Sequence, residues 1–278
     1  WPYVASDPYH GMYAGEEMPT PNRTDAELET THPVIRALHR SRIGKAMSKP
    51  EARQLVLPTY LGMIKQIDDH LGRLFSEMDR LGRSKDTLIV FTSDHGEYMG
   101  DHWMGEKDWI NEEVVRVPMI VVDPRSQADV TRGTVSNELV EAIDLVPTFV
   151  EALGGENDSR TQWLEGESLV PLLRGAHGTE RDFVVCEADW GFLEMSHYVG
   201  DLNEPRKRRA TMLRNDRYKY VLSEIGPNLL YDLEDDPDEQ NDCISDPALQ
   251  SVVSELHEQL FSWFRSRRHD TTVTDQMI

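Results

Sequence analysis

The sequence predicts an α/β fold with a mixed, largely parallel sheet flanked by helices, followed by a small α+β subdomain with an antiparallel sheet. A long amphipathic segment precedes two short, continuously apolar runs, an order typical of strands that lie beneath helices. After Gly175 the pattern changes to four short strand-like runs separated by polar turns, with an amphipathic segment at the end. We therefore assign residues 1–180 to the α/β region and residues 181–278 to the subdomain.

The first 45 residues are expected to be irregular. Five prolines interrupt them, and the apolar residues show little periodicity outside one short helix predicted over residues 33–42. Such a segment normally crosses the surface of an already folded core, as a lid or a connection. It is also long enough to reach a neighbouring subunit, so a homo-oligomer is an open expectation.

A long helix is predicted over residues 50–81. Its apolar residues recur at steps of three and four, which places them on one stripe that we expect to cover a sheet. The stripe consists of Tyr60, Ile64, Ile67, Leu71, Leu74, Met78 and Leu81. Gly82 follows, and a glycine at this position commonly ends a helix.

Two buried strands and a second helix come next. The runs "TLIVFTS" at residues 87–93 and "VPMIVVD" at residues 117–123 are rich in β-formers, which favours strands buried on both faces. Asp144 then provides a plausible helix cap, Pro147 falls in the first turn, and Gly154 marks the end of that helix. In the subdomain, residues 246–265 are predicted to form the closing helix.

Charge and composition exclude several classes of partner. A formal net charge of −21 argues against nucleic acid or an anionic membrane surface, whereas a hard metal cation suits it better. No window approaches the roughly 18 to 20 apolar residues that a membrane span needs. Cys186 and Cys243 show neither zinc spacing nor a disulfide framework, which favours a reducing, cytoplasmic location over a periplasmic one.

The end of the first buried strand carries a candidate metal site. In open α/β sheets ligands bind beyond the carboxyl ends of the strands, and Asp94 and His95 lie at that position. A carboxylate oxygen and a neutral imidazole nitrogen can share one divalent ion if the backbone turns, which Gly96 permits. Asp-His-Gly is also a common strand-ending turn, and a complete site would need further ligands.

The loop after this strand carries two candidate catalytic residues. Lys107 is a point charge suited to a phosphate or sulfate oxygen, or to the charge that develops on a leaving oxygen. His102 could act as a general acid or contact the substrate, with Asp101 orienting its ring. The alternatives are a structural His102 and an exposed ion pair of Lys107 with Glu106 or Asp108.

Four stretches together resemble the C-terminal part of the sulfatase family, within the alkaline phosphatase superfamily. They are "YLGMIKQIDDHLGRLFSEMDRLG", "DTLIVFTSDHGEYMGDHWMGEK" running into "EEVVRVPMIV", "VEAIDLVPTFVEALG" with "LEGESLVPLL", and "RYKYVLS" with "NLLYDLEDDPDEQND". They lie in the family's order and spacing and cover nearly the whole chain from residue 50 onward. The opening "WPYVASDPYHGMY" resembles the segment that follows an active-site histidine in these enzymes.

The resemblance implies an alkaline-phosphatase-like fold and a hydrolase of small-molecule sulfate or phosphonate/phosphate esters. Such enzymes use a divalent metal, here Ca, Mn or Zn, together with a formylglycine made from Cys or Ser. Asp94 and His95 correspond to the metal ligands, and Lys107 to the lysine that contacts the transferred group or leaving oxygen. Many arylsulfatases have Asn at the position of His95, so the histidine favours the phosphonate monoester hydrolase branch.

The nucleophile signature of the family, Cys/Ser-x-Pro-x-Arg, matches neither "VCEADW" nor "DCISDPA". We therefore expect a C-terminal fragment of a sulfatase-like enzyme that lacks the nucleophile and is inactive alone. A noncatalytic relic that binds or scaffolds is the alternative from another class. A two-metal phosphomutase or phosphatase ranks lower, because Glu187, Asp189 and Trp190 offer no metal spacing.

Overall fold

The computed structural model describes residues 3–155, 164–176, 181–189 and 209–266. The helices are α1 (Pro33–Arg40), α2 (Arg42–Met47), α3 (Pro50–Arg80), α4 (Glu112–Val115), α5 (Leu145–Ala152), α6 (Val170–Leu173) and α7 (Gln250–Ser266). The strands are β1 (Ile89–Thr92), β2 (Met119–Val122), β3 (Val184–Asp189), β4 (Arg209–Arg214), β5 (Tyr218–Ser223) and β6 (Leu229–Asp232). The predicted order of helices and strands is confirmed. Across these ranges no helix is long and apolar enough to cross a membrane.

The first sheet is a two-stranded pair that supports the candidate site. β1 and β2 run antiparallel, with Ile89 opposite Val122 and Thr92 opposite Met119. Every strand pair among the residues that the structure describes is antiparallel. Burial of both strands on both faces is not observed: Ile120 and Val122 are 57% and 42% exposed. Their side chains share one face of the pleat, which no described layer covers.

The long helix α3 forms as predicted, but its apolar stripe is largely open. Its first half packs against the turn Tyr9–Gly11, where a side chain on Gly62 would come within 2.1 Å of the Tyr9 carbonyl oxygen. Ile64 and Leu74 farther along the stripe are 49% and 52% exposed. The expected cover of a sheet by this stripe is therefore not seen within the described ranges. Periodicity predicts which side of a helix is apolar but does not identify what packs there.

The second sheet is the predicted antiparallel subdomain, with strand order β3-β4-β5-β6. Because neighbouring residues of a strand point to opposite faces, β4 contributes to two cores. Met212 joins a cluster with α1 and the residues that follow β1. Leu213 packs instead with Leu256 and Leu260 of α7. The sheet is therefore covered on both faces, and one of them carries the loop of the candidate site.

Polar contacts join the α/β region to the subdomain. Arg181 donates to both carboxylate oxygens of Asp144, at 2.7 and 2.8 Å, and Glu141 accepts from the Val185 amide at 2.6 Å. Asp144 directly precedes α5 as predicted, but its carboxylate binds Arg181 and the amides of Glu141 and Glu167 rather than capping that helix. The boundary at residue 180 stays a prediction.

Two smaller predictions concern cysteines and aromatic residues of the subdomain. Cys186 and Cys243 are both free and partly buried. Trp190, Phe192 and Tyr198, for which we expect a packing role, lie outside the described residues.

Candidate active site

The candidate site begins where β1 ends, at Asp94 and His95. The next residue, Gly96, lies so close to α4 that a Cβ atom there would be 1.8 Å from the Glu113 carbonyl oxygen. Its amide donates to the Val114 carbonyl at 2.8 Å. Glycine is therefore required at residue 96 because the backbone passes so close to α4. The sequence pattern suggested a different reason, namely that glycine lets the backbone turn.

Asp94 and His95 point toward each other, as the metal-site prediction requires. Oδ2 of Asp94 lies 3.5 Å from Nε2 of His95, and the two side chains are 84% and 33% exposed. The pKa of the Asp94 carboxyl is lowered, chiefly by His95 and to a smaller extent by Lys107. The pair thus offers one hard oxygen and one nitrogen at an open edge of the sheet.

The hydrogen bonding of His95 prepares its outer nitrogen to act as a ligand. Nδ1 lies 2.7 Å from the Gly96 carbonyl oxygen, so Nδ1 carries the proton that donates there. Nε2 then presents its lone pair, the arrangement usual in metal-binding histidines. Asp94 and His95 fit a shared divalent ion as two of its ligands. Among the described ranges no three His, Cys, Asp or Glu side chains group into a metal site.

Lys107 closes the site from the far end of the loop. Its exposed ammonium lies 2.8 Å from Nε2 of His95 and donates to that lone pair. Lys107 therefore contacts His95, and its ion pair with Glu106 or Asp108 stays an alternative role. The structure therefore brings Asp94, His95 and Lys107 together: Oδ2 of Asp94 and Nζ of Lys107 lie 3.5 and 2.8 Å from Nε2 of His95. Their roles in binding and catalysis stay predictions.

His102 lies apart from this group, in the interior. It is 2% exposed, and its Nδ1 and Nε2 lie 2.5 Å from Glu27 and 3.3 Å from Glu113. Because both ring nitrogens are occupied and solvent is excluded, the structure does not support His102 as a general acid or substrate contact. Asp101 does not orient the ring either, since its carboxylate accepts from the Asn22 amide at 2.8 Å.

The sequence did not reveal the partners of His102. Glu27 lies 75 residues from His102 in the chain, and Glu113 belongs to the short helix α4. A local signal did exist at Thr24, because Thr-x-x-Glu is a capping-box pattern, and Glu27 accepts from the Thr24 amide at 2.6 Å. That pattern predicts a turn but not the histidine that it binds.

His102 is a cation at neutral pH in this environment. Burial lowers its pKa, but hydrogen bonds and charges from Glu113 and Glu27 outweigh burial and raise the pKa to about 10. Three other titratable groups lie next to His102: Asp101, His39 and Tyr98, whose ring packs edge-on against the imidazole. Burial raises the pKa of Asp101, and burial lowers the pKa of His39 on α1.

This raised pKa predicts a pH-dependent contribution to stability. The folded protein holds the His102 proton up to about pH 10, whereas the unfolded chain releases it near pH 6.5. The stabilisation is therefore complete below about pH 6.5 and is lost as the pH rises toward 10. We expect wild type and His102→Gln to differ in free energy of unfolding by on the order of 2 kcal/mol more at pH 6 than at pH 10. Urea unfolding at both pH values measures the difference, and a gap independent of pH would contradict the assignment.

Solved structures confirm the predicted fold class. The chain superimposes on a phosphonate monoester hydrolase of Agrobacterium radiobacter with TM-score 0.83 and 29% identity, covering 96% of this chain and 55% of that one. A phosphonate monoester hydrolase from Silicibacter pomeroyi gives TM-score 0.85 and 27% identity, covering 99% and 56%. These structures and the site at the end of β1 define the class as an alkaline-phosphatase-like α/β protein.

The sequence profile named Sulfatase matches residues 1–155, and the profile for the C-terminal region of N-sulphoglucosamine sulphohydrolase matches residues 100–266. The chain belongs to the sulfatase family. A multifunctional alkaline phosphatase superfamily protein, PehA of Trinickia caryophylli, is 34% identical over 98% of this chain and 55% of its own length. An arylsulfatase of Clostridium perfringens is 26% identical over 100% of this chain and 54% of its own length. The chain thus spans about half the length of these relatives.

Proposed function

We propose that the complete protein hydrolyses sulfate or phosphonate/phosphate monoesters of small molecules. The observation that carries the proposal is the grouping of Asp94, His95 and Lys107 at the end of β1, with Asp94 Oδ2 and Lys107 Nζ lying 3.5 and 2.8 Å from His95 Nε2. A carboxylate, an imidazole and an ammonium at one strand end can hold a cation and a multiply charged ester together.

Asp94 and His95 would hold a divalent metal, which when bound polarises the ester and supports the attacking group. The Gly96 carbonyl fixes the His95 proton on Nδ1, so Nε2 carries the lone pair that would bind the metal. Lys107, which now donates to that nitrogen, would turn its ammonium toward the substrate. There it would offset the negative charge on the departing oxygen. We propose that the nucleophile is a formylglycine outside these 278 residues.

Phosphonate monoesters are the preferred substrate class in this proposal. His95 occupies the position where the family resemblance expects Asn in many arylsulfatases, and the two matched structures cited above are phosphonate monoester hydrolases. The relative PehA is described as multifunctional. Activity on both phosphonate and sulfate esters, with the phosphonate hydrolysed faster, agrees with these observations.

The test is turnover by the complete protein. We expect release of 4-nitrophenol from 4-nitrophenyl phenylphosphonate and more slowly from 4-nitrophenyl sulfate, loss of both activities with a chelator, and recovery with Mn²⁺, Ca²⁺ or Zn²⁺. Absorbance of 4-nitrophenolate measures the rate. A protein that binds metal but hydrolyses neither ester would contradict the proposal and favour the noncatalytic binding domain.

A further inference from the structure

The segment between His95 and Lys107, here called the 95–107 loop, returns to its starting point. The Tyr98 amide donates to the Glu106 carbonyl at 3.1 Å and the Gly100 amide to the Met104 carbonyl at 2.9 Å, so the two arms run side by side. His102 therefore lies at the tip of the loop, while Lys107 returns to His95 at its base.

The backbone of this loop is held in an unfavourable conformation. Four residues other than glycine have positive φ angles of 48° to 61°: Met99, His102, Trp103 and Glu106. Such angles are uncommon for these residue types, and they persist only where surrounding contacts impose them. The loop therefore depends on anchors outside itself.

His102 makes a charged anchor of the loop, beside those made by Arg23 and Arg53. Its ring lies between Glu27 of the turn Asp25–Glu29 and Glu113 of α4, and its amide donates to the Asn22 carbonyl at 2.7 Å. The Trp103 indole also donates to the Thr24 carbonyl at 2.8 Å. The ring of His102 connects the first segment of the chain to α4, and so does the Asn22 side chain, which donates to Glu113 at 2.8 Å.

Glu113 joins the tip of the loop to its base. Its side chain faces His102, and its carbonyl accepts from the Glu97 amide at 3.0 Å, two residues after His95. The neighbouring Val114 carbonyl accepts from the Gly96 amide. One short helix thus fixes both the strand end with His95 and the loop tip, and the arm between them carries Lys107.

We propose that His102 is a positioning residue, which through Glu27 and Glu113 fixes the arm of the loop that carries Lys107 next to His95, and so places the ammonium for its contact with the leaving oxygen. The catalytic role of Lys107 in this inference rests on the proposed function. The placement of Lys107 by His102 does not, because it concerns the structure alone. His102→Gln keeps the approximate size of the ring and loses its charge. In this variant the Lys107 ammonium is expected to lose its contact with His95.

Crystal structures of the complete protein without metal, as wild type and as His102→Gln, test the geometry without any assay, because Nε2 of His95 then stays open to the Lys107 ammonium. We expect the distance from Lys107 Nζ to His95 Nε2 to increase from 2.8 Å to beyond about 3.5 Å, outside hydrogen-bonding range. Glu27→Gln, which weakens the same anchor but keeps the histidine, is the second variant if His102→Gln does not fold. An unchanged distance in the variant that folds would overturn the inference and leave the proposed function intact.

Kinetics on aryl phosphonates of increasing phenol pKa supply the second test. We expect His102→Gln to lower kcat about 10- to 100-fold for the poorest leaving group and much less for 4-nitrophenol. Tyr220→Phe is the matched control, because this tyrosine bonds His257 at 3.1 Å on the far face of the second sheet. Any effect of Tyr220→Phe on kcat should be the same for every ester.

A double variant separates positioning from general loss of structure. Because His102 acts through Lys107 in this proposal, His102→Gln with Lys107→Ala should be no slower than Lys107→Ala alone. Fully additive losses, or a His102→Gln effect independent of the leaving group, would refute the inference. If Lys107→Ala alone hydrolyses every ester at the wild-type rate, the proposed role of Lys107 fails instead, and the crystallographic distance still decides the positioning.

Discussion

Asp94→Ala is expected to lower metal-dependent turnover by the complete protein about 100-fold or more. Asp94 offers a carboxylate at the end of β1 that faces His95, at 3.5 Å from Nε2. A metal contributes several kcal/mol to stabilising charge in the transition state, and each 1.4 kcal/mol is a factor of ten in rate. Loss of a ligand removes part of that contribution, and it also lowers the affinity for the ion.

Two measurements distinguish this effect from unfolding. Calorimetric titration with Mn²⁺ should show weaker binding by Asp94→Ala, while circular dichroism stays the same, because the carboxylate is 84% exposed. Asp68→Ala is the matched control, since its side chain is 75% exposed on α3 and pairs with Lys65. An exposed pair of that kind contributes at most about 1 kcal/mol. Wild-type turnover and metal affinity in Asp94→Ala would exclude Asp94 from the metal site.

Local sequence patterns predicted most of the fold. The step of three and four in residues 50–81 gave α3, and the runs of β-formers gave β1, β2 and the four strands of the subdomain. These patterns reflect contacts within one helix or one strand, so a single sequence contains them. What covers each apolar face is a long-range property, which is why the exposure of Ile64 and Ile120 was not predicted.

The candidate site was predictable to the same extent. Asp94 and His95 are adjacent and lie at the end of a strand, so position alone made them candidates, and the family resemblance added Lys107. The placement of His102 could not be predicted in this way. Its environment is set by Glu27 and Glu113, and nothing in the letters around residue 102 shows that these carboxylates converge there.

A buried lysine connects α4 to the subdomain. Lys219 of β5 is 1% exposed, and its ammonium lies 2.6 Å from Glu239, 2.8 Å from Glu112 and 3.2 Å from the Ile110 carbonyl oxygen. Glu239 in turn accepts from the Glu112 amide at the start of α4 at 2.6 Å. Burial raises the pKa of Glu239, and Lys219 opposes that shift. The lysine therefore balances two carboxylates that have little access to water.

Lys219→Met is expected to destabilise the complete protein by about 3 to 5 kcal/mol, because it leaves buried negative charge without its cation. Urea unfolding followed by tryptophan fluorescence measures the loss. Lys85→Met is the control for the substitution itself, since Lys85 is exposed and should change stability by less than about 0.5 kcal/mol. Adding Glu239→Gln to Lys219→Met should recover part of the loss, since it removes one of the uncompensated charges. Equal stability of Lys219→Met and Lys85→Met would show that the buried cluster does not hold α4 against the subdomain.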